Sequence, residues 1–96
     1  MNISYNLYAA DMDSQIPTYD VHGKNVSEAL DELSRFLSHE ISAGSSAIRI
    51  IHGRGTGKLR KEIQCWLQSY IKKGLVTAFR DSESPSQAGG VTIILL

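Results

Sequence analysis

The sequence predicts an α/β fold, a two-layer sandwich in which two helices cover a four-stranded mixed sheet. Three observations predict it: two stretches place apolar residues at helical spacing, four short runs are apolar or β-branched, and these segments alternate in the order β-α-β-α-β-β. A chain of 96 residues has room for one domain with a single core. We expect that domain at residues 18–96, and residues 1–17 form an N-terminal extension without an assignment.

The first strand and the first helix are predicted at residues 18–22 and 27–41. The strand segment, TYDVH, contains the β-branched and aromatic residues that strands favour. The helix segment repeats leucine or isoleucine every three or four residues, which gives it one apolar face. Asn25 and Glu28 match a capping box at the start of the helix, and Gly44 supplies its end.

The second strand and the second helix are predicted at residues 47–51 and 59–71. The strand segment, AIRII, is a short apolar and β-branched run, as is typical of strands. Thr56 is the expected N-cap of the helix, and Gly74 ends it. Because a strand-helix-strand unit makes a right-handed parallel crossover, the first two strands should end at the same edge of the sheet.

The last two strands are predicted at residues 75–79 and 91–96, with the sequences LVTAF and VTIILL. The segment between them, RDSESPSQAGG, is polar and rich in turn-forming residues, so residues 80–90 are predicted to form a mobile loop. A loop that joins consecutive strands directly allows antiparallel pairing, and the sheet is therefore predicted to be mixed.

Two histidines, His22 and His52, lie at the ends of the predicted parallel strands, where open α/β sheets bind ligands. In a strand, Asp20 and His22 share one face, so the carboxylate can fix the tautomer of the imidazole and support general acid or base catalysis. The alternative is a surface pair without a catalytic task. Strand parity points His52 toward the helices, which makes it a candidate for catalysis and equally for bracing the adjacent turn.

The segment IIHGRGTGKLRK, residues 51–62, joins the second strand to the second helix and has three glycines at alternate positions. Its spacing fits neither a P-loop nor a dinucleotide-binding motif. A glycine-rich turn at a helix N-terminus can still present free backbone N–H groups to a phosphate. The alternative is a tight turn that needs glycine for its backbone angles. The residues predicted to contact a nucleic-acid backbone are Gly53, Arg54, Gly55, Thr56, Gly57, Lys58 and Arg60.

The composition excludes several classes of protein. Ten basic and ten acidic residues give a net charge of zero, so an anion-binding surface is expected only around the glycine-rich segment. A single cysteine, Cys65, excludes an intramolecular disulfide and a cysteine-rich zinc site, and no structural metal is predicted. The N-terminus does not match a signal peptide, and no apolar run approaches the roughly 20 residues of a membrane span, so we expect a cytoplasmic protein without membrane contact.

Three blocks, YDVHGKNVSEAL, AIRIIHGRGTGKLR and GGVTIILL, resemble the Smr domain, the small MutS-related domain, in sequence and in order. The resemblance covers residues 18–96 and implies a fold similar to the C-terminal domain of translation initiation factor three, which agrees with the element order derived above. The family motif L-D-x-H corresponds to residues 19–22, with Tyr19 where leucine is usual, and the motif H-G-x-G corresponds to residues 52–55.

The resemblance also implies endonuclease activity on DNA and, in some members, on RNA. We therefore expect an endonuclease that nicks DNA at branched or distorted sites, with Asp20, His22 and His52 as catalytic residues and nucleic acid as the partner. The participation of a divalent cation such as magnesium stays open, since Asp20 could hold a metal-bound water as well as an imidazole. The alternatives are a module that binds nucleic acid or the ribosome without cutting, and an endonuclease that cuts RNA.

Overall fold

A computed structural model of the chain describes residues 5–96, and its elements follow the predicted order with one helix added at the start. In chain order they are α1 (Leu7–Met12), β1 (Thr18–Asp20), α2 (Val26–Ser42), β2 (Ala47–Ile51), α3 (Lys58–Lys72), β3 (Ala78–Asp81) and β4 (Val91–Leu95), with a 3-10 turn at Pro85–Gln87. The sheet has the spatial order β1-β2-β4-β3. β1 runs parallel to β2, while β2 and β3 each pair antiparallel with β4, so the predicted mixed sheet is confirmed.

The main core lies between the sheet and the two long helices, α2 and α3. It is formed by fully buried aliphatic side chains from both layers, namely Leu33, Leu37, Ile48, Ile50, Ile63, Leu67 and Ile94. Because side chains alternate across a strand, Ile48 and Ile50 face the helices while Ala47 packs on the opposite face of the sheet. The parity predicted for β2 is therefore the observed one. None of the helices within residues 5–96 is both long and apolar enough to cross a membrane.

The start of α2 agrees with the sequence, whereas the start of α3 does not. At α2, the N–H of Glu28 donates to Oδ1 of Asn25 at 2.8 Å and the Glu28 carboxylate accepts from the N–H of Asn25, which completes the predicted capping box. At α3, the N-cap is Gly57, with φ +84°, which has no side chain to cap the helix, and the N–H of Lys58 donates to Oγ1 of Thr56 at 3.4 Å. The prediction of Thr56 as N-cap is wrong because the chain enters α3 through a left-handed residue, one position later.

The third strand is displaced from its predicted position. We expected it at residues 75–79, but β3 spans Ala78–Asp81 and includes two residues that the sequence places in the loop. Leu75 instead belongs to the connection after α3, where its N–H donates to the carbonyl of Tyr70 at 3.0 Å. Asp81 pairs with Thr92 of β4, so a carboxylate assigned to a polar loop is part of the sheet.

The N-terminal extension covers the second face of the sheet, which the sequence left without an assignment. Ala10 of α1 and Ile16 pack in a smaller apolar cluster with residues of β2 and β4. Arg49 of β2, only 7% exposed, donates from Nη2 to the carbonyls of Asp11 and Asp13 at 3.1 and 3.2 Å. This guanidinium satisfies carbonyl groups at the end of α1 and connects the extension to the central sheet.

Candidate functional site

Asp20 and His22 form a close pair where β1 ends. The main-chain N–H of His22 donates to Oδ1 of Asp20 at 2.9 Å, and Nδ1 of its ring lies 2.7 Å from the same oxygen. Because β1 ends at Asp20, a turn that follows the strand brings the two side chains together, and the shared strand face predicted for them is wrong. The hydrogen bond from the His22 N–H is the main cause that lowers the pKa of the Asp20 carboxyl, which is therefore ionised at neutral pH.

The geometry of this pair fixes the orientation of the imidazole. An ionised carboxylate only accepts hydrogen bonds, so Nδ1 of His22 carries the proton that it shares with Asp20. The other ring nitrogen, Nε2, has no hydrogen-bond partner within residues 5–96, and the side chain is 68% exposed. His22 therefore presents an accessible basic nitrogen while Asp20 holds the ring from behind.

The glycine turn between β2 and α3 lies directly against this pair. Gly53, Gly55 and Gly57 have positive φ angles of 82°, 39° and 84°. A Cβ atom built on Gly53 would lie 3.1 Å from the Cβ atom of His22, which is closer than side chains normally approach. The two strand ends predicted to share one edge of the sheet therefore meet there, and Gly53 permits the contact.

A cleft of about 300 Å³ opens at this edge, between residues 23–26 and residues 52–60. These segments lead into α2 and α3, so the positive ends of two helix dipoles face the cleft. Within the described part of the chain, the lining has no acidic side chain, and its cationic residues are Lys24, Arg54, Lys58 and Arg60. An anion is the ligand that this lining favours.

The backbone amides of the turn fall into two groups. The N–H of Gly53 donates to the carbonyl of Gly90 at 3.0 Å, and the N–H of Gly57 donates to the carbonyl of Arg54 at 3.1 Å. These two amides donate within the protein and are not available to a ligand. The predicted phosphate-binding site therefore loses the N–H groups of Gly53 and Gly57. In the described chain, the amides of residues 54–56 have no hydrogen-bond partner and remain as the candidate donors.

The two arginines predicted to bind phosphate line the cleft, but their guanidinium groups are engaged. Nε of Arg54 donates to the carbonyl of Ala88 at 2.9 Å, which connects the turn to the loop before β4. Nε of Arg60 donates to Oδ1 of Asp81 at 2.8 Å, and Nη2 contacts the second oxygen of the same carboxylate. These hydrogen bonds are the main cause that lowers the pKa of Asp81. A phosphate could bind the Arg60 guanidinium only by competing with the Asp81 carboxylate.

His52 is buried and faces the helices, as strand parity predicts. The residue is 3% exposed. Its Nδ1 lies 3.0 Å from the carbonyl oxygen of Gly53, and its Nε2 lies 2.9 Å from Oγ1 of Thr92. Burial lowers the pKa of His52, which favours the neutral imidazole. His52 therefore belongs to the lining of the cleft with little exposed surface, whereas His22 lies beside the cleft, next to Gly53, and is not one of its lining residues.

A chain of hydrogen bonds, which sequence reasoning missed, connects His52 to the cleft residue Arg60. Nε2 of Gln64 lies 2.8 Å from Oδ1 of Asp81 and 3.1 Å from Oγ1 of Thr92. We call this set the polar relay, and its members are Arg60, Asp81, Gln64 and Thr92. The only signals in the sequence are Gln64 four positions after Arg60 on α3 and a threonine within the apolar last strand. The sequence contained no such signal for Asp81, because that residue was assigned to the loop at residues 80–90.

Residues 5–96 contain no group of three or more histidine, cysteine, aspartate or glutamate side chains arranged to hold a metal ion. The Asp20 carboxylate, next to the glycine turn in the fold, accepts two hydrogen bonds from His22.

Comparison with known proteins identifies the family. The model of the Smr domain matches residues 19–96 of the chain. The chain belongs to the Smr domain family. The crystal structure of the Smr domain of Thermus thermophilus MutS2 superposes on it with a TM-score of 0.75 and 34% sequence identity, covering 84% of this chain and 98% of that one. The predicted family and fold class are both confirmed.

Longer relatives share the same region. The protein named Endonuclease MutS2 of Thermomicrobium roseum is 37% identical over 81 residues, and its namesake in Aquifex aeolicus is 34% identical over 79 residues. The alignments cover 83% and 82% of this chain but 10% of each relative, so the chain spans about a tenth of the length of the curated relatives it matches. The Smr domain match begins at Tyr19, after the extension that contains α1.

Proposed function

We propose that this Smr domain is an endonuclease that binds the backbone of a nucleic acid in the cleft and hydrolyses a phosphodiester. The observation that supports it most is the close approach of His22, which Asp20 holds, to Gly53, a residue of the glycine turn that lines the cationic cleft. The name of the MutS2 relatives, which describes them as endonucleases, supports the same class of reaction.

The phosphate would bind where the two helix N-termini converge. Within the described chain, the N–H groups of residues 54–56 donate to no other group, so they are free to bind a phosphate. Lys58 and Lys24 add positive charge to the lining of the cleft. Such contacts are made to phosphate oxygens and carry no information about base identity. We therefore expect the protein to prefer branched or distorted DNA over a specific sequence, with an affinity that falls as salt concentration rises.

His22 would perform the proton transfers. With its Nδ1 proton directed to Asp20, Nε2 can take a proton from the attacking water, and the carboxylate stabilises the imidazolium that forms. The same nitrogen can then return the proton to the leaving oxygen. The three free amides of residues 54–56 and the cations around the phosphate would stabilise the negative charge that develops on its oxygens.

Cleavage assays with matched variants test this proposal. Purified protein is incubated with supercoiled plasmid, branched DNA and single-stranded RNA, in magnesium or in chelator. We expect the wild type to nick DNA and His22→Ala and Asp20→Asn to lose most of the activity. His39→Ala is the control, because His39 is exposed on α2 and does not line the cleft.

Each alternative has its own outcome. Equal trace rates for the wild type and His22→Ala would make the protein a module that binds nucleic acid or a ribosome without cutting, since the cationic cleft would serve that task unchanged. Cleavage of RNA without cleavage of DNA would indicate a nuclease that uses the 2′-hydroxyl. Full activity in chelator would remove the divalent cation from the reaction.

A further inference from the structure

The hydrogen bonds around His52 determine where its proton lies. The carbonyl oxygen of Gly53 can only accept, and it lies 3.0 Å from Nδ1 of His52, so this nitrogen must be the donor. A neutral imidazole carries one proton, and Nε2 is then an acceptor. The hydroxyl of Thr92, at 2.9 Å, is the group that can donate to it.

The direction of each remaining hydrogen bond follows from the same reasoning. Because the Thr92 hydroxyl uses its one proton on His52, its oxygen has to accept from the amide of Gln64, at 3.1 Å. The other proton of that amide points to Oδ1 of Asp81, at 2.8 Å. A carboxylate accepts only, and Arg60 is bound to it through both Nε and Nη2. Every hydrogen bond in the polar relay therefore has one possible direction.

We infer that the polar relay holds His52 as a neutral imidazole with its proton on Nδ1, and that His52 is a positioning residue for the glycine turn, not a proton-transfer group. This inference rests on the proposed function only where it says that the glycine turn binds a phosphate. Both ring nitrogens of His52 are occupied inside the protein, and the residue is 3% exposed, so neither nitrogen can reach a substrate without breaking the relay.

The relay reaches the turn through the Gly53 carbonyl. Gly53 has φ +82° and touches His22, so the rotation of its peptide group decides how the amides of residues 54–56 face the cleft. If His52 carried its proton on Nε2, the lone pair of Nδ1 would face the lone pairs of the Gly53 carbonyl oxygen. The repulsion would turn the Gly53 peptide group away. The relay thereby keeps the phosphate donors in position while His22 carries out the chemistry.

Gln64→Glu reverses one donor in the relay with almost no change in shape. A carboxylate at position 64 lies against the Asp81 carboxylate, to which the Gln64 amide now donates at 2.8 Å, and it can accept from the Thr92 hydroxyl. His52 then loses the donor at Nε2, and the added negative charge favours a proton on that nitrogen. Gln68→Glu is the matched control, because Gln68 lies one turn further along α3 and is exposed. Thr92→Val removes the hydroxyl, and Thr92→Ser keeps it as the conservative variant.

Long-range ¹H–¹⁵N NMR spectra of protein labelled in its histidines report the tautomer directly, with His22→Gln and His39→Gln used for assignment. At neutral pH we expect His52 to be protonated on Nδ1 in the wild type, in Gln68→Glu and in Thr92→Ser. Gln64→Glu should move protonation to Nε2, and Thr92→Val should give a mixture of tautomers. A wild-type proton on Nε2 would overturn the inference.

Kinetics separate positioning from proton transfer. Gln64→Glu should raise KM at least tenfold more than it lowers kcat, and the pH profile of kcat should keep its shape because His22 is intact. A changed pH profile with an unchanged KM would overturn the positioning role. If the wild type cuts nothing, the proposed nuclease function fails, and the tautomer of His52 is still decided by the spectra.

Discussion

His22 and Gly53 are in contact across the edge of the sheet, so closely that a Cβ atom on Gly53 would lie 3.1 Å from the Cβ atom of His22. β1 and β2 run parallel and end side by side, and the N–H of Val21 donates to the carbonyl of Ile51 immediately before both chains turn. The exposed imidazole and the amides of the turn therefore follow the ends of two hydrogen-bonded strands at one edge of the sheet.

Gly53→Ala should damage both stability and activity. The left-handed backbone at Gly53 costs an alanine about 1–2 kcal/mol, and the added methyl group would also displace His22. Gly44→Ala is the matched control, because Gly44 has nearly the same φ, +79°, with nothing within 4 Å of its Cβ position. We expect similar losses of unfolding free energy from the backbone, measured in urea, but at least tenfold slower nicking for Gly53→Ala alone.

Asp20→Asn tests the orientation of His22 with little structural change. The asparagine oxygen can still accept from the N–H of His22, but its amide can donate to Nδ1 and place the ring proton on Nε2. We expect kcat to fall by roughly 10²- to 10⁴-fold while DNA affinity, measured in chelator, stays unchanged. Asp31→Asn on the exposed face of α2 is the control, and a loss of similar size there would contradict a specific role for Asp20.

Much of the fold could be predicted from short-range patterns. Helical spacing located α2 and α3, the capping box was read directly from Asn25 and Glu28, and strand parity pointed His52 inward. These features depend on residues close together in sequence, and each had a definite physical cause. The exception was Thr56, which lies one position too early to cap α3 because Gly57 takes the left-handed conformation.

The features that were missed depend on contacts distant in sequence. Arg60 meets Asp81 across 21 positions and His52 meets Thr92 across 40, and no local pattern reports such pairs. Because Leu75 is apolar, the third strand was predicted to begin there, which is too early, and Asp81 was assigned to a loop. α1 has six residues, too few for a periodic pattern to identify it, since most of the stability of so short a helix comes from its packing.

Stability should fall as pH decreases through the ordinary range of histidine. Burial lowers the pKa of His52, with Asp81 opposing and Arg60 reinforcing that shift, so the unfolded chain binds a proton that the folded chain does not. Below a pH of about 6.5 this difference in proton binding makes the unfolding free energy fall as pH falls. The fall stops at the pH where His52 is protonated in the folded protein too. The slope of unfolding free energy between neutral pH and pH of about 5 should flatten in His52→Gln.

His39→Gln is the control for this titration, because His39 is exposed and lies outside the core. An unchanged slope in His52→Gln would show that His52 does not titrate differently in the two states. The carboxyl groups of Asp20 and Asp81, whose pKa values are lowered, act at more acidic pH. Their contribution is present above about pH 4 and is lost as pH falls further, so the two ranges can be separated in one series.

Arg49→Met should detach the N-terminal extension from the sheet. The buried guanidinium donates to the carbonyls of Asp11 and Asp13, and methionine keeps an apolar stem of similar length without those donors. Loss of hydrogen bonds from a charged group costs about 1.5–3 kcal/mol, measured as unfolding free energy in urea. Amide hydrogen exchange should accelerate most in Leu7–Met12, because that helix depends on its contacts with the sheet.

Arg35→Met is the matched control, because Arg35 is exposed on α2 and pairs with Asp31, four residues earlier. It should change stability much less and leave exchange in α1 unaltered. Nicking per folded molecule should be the same in both variants, since Arg49 faces α1 on the side of the sheet opposite the helices that form the cleft. A selective loss of nicking in Arg49→Met, without faster exchange in α1, would mean that this face of the sheet takes part in the reaction.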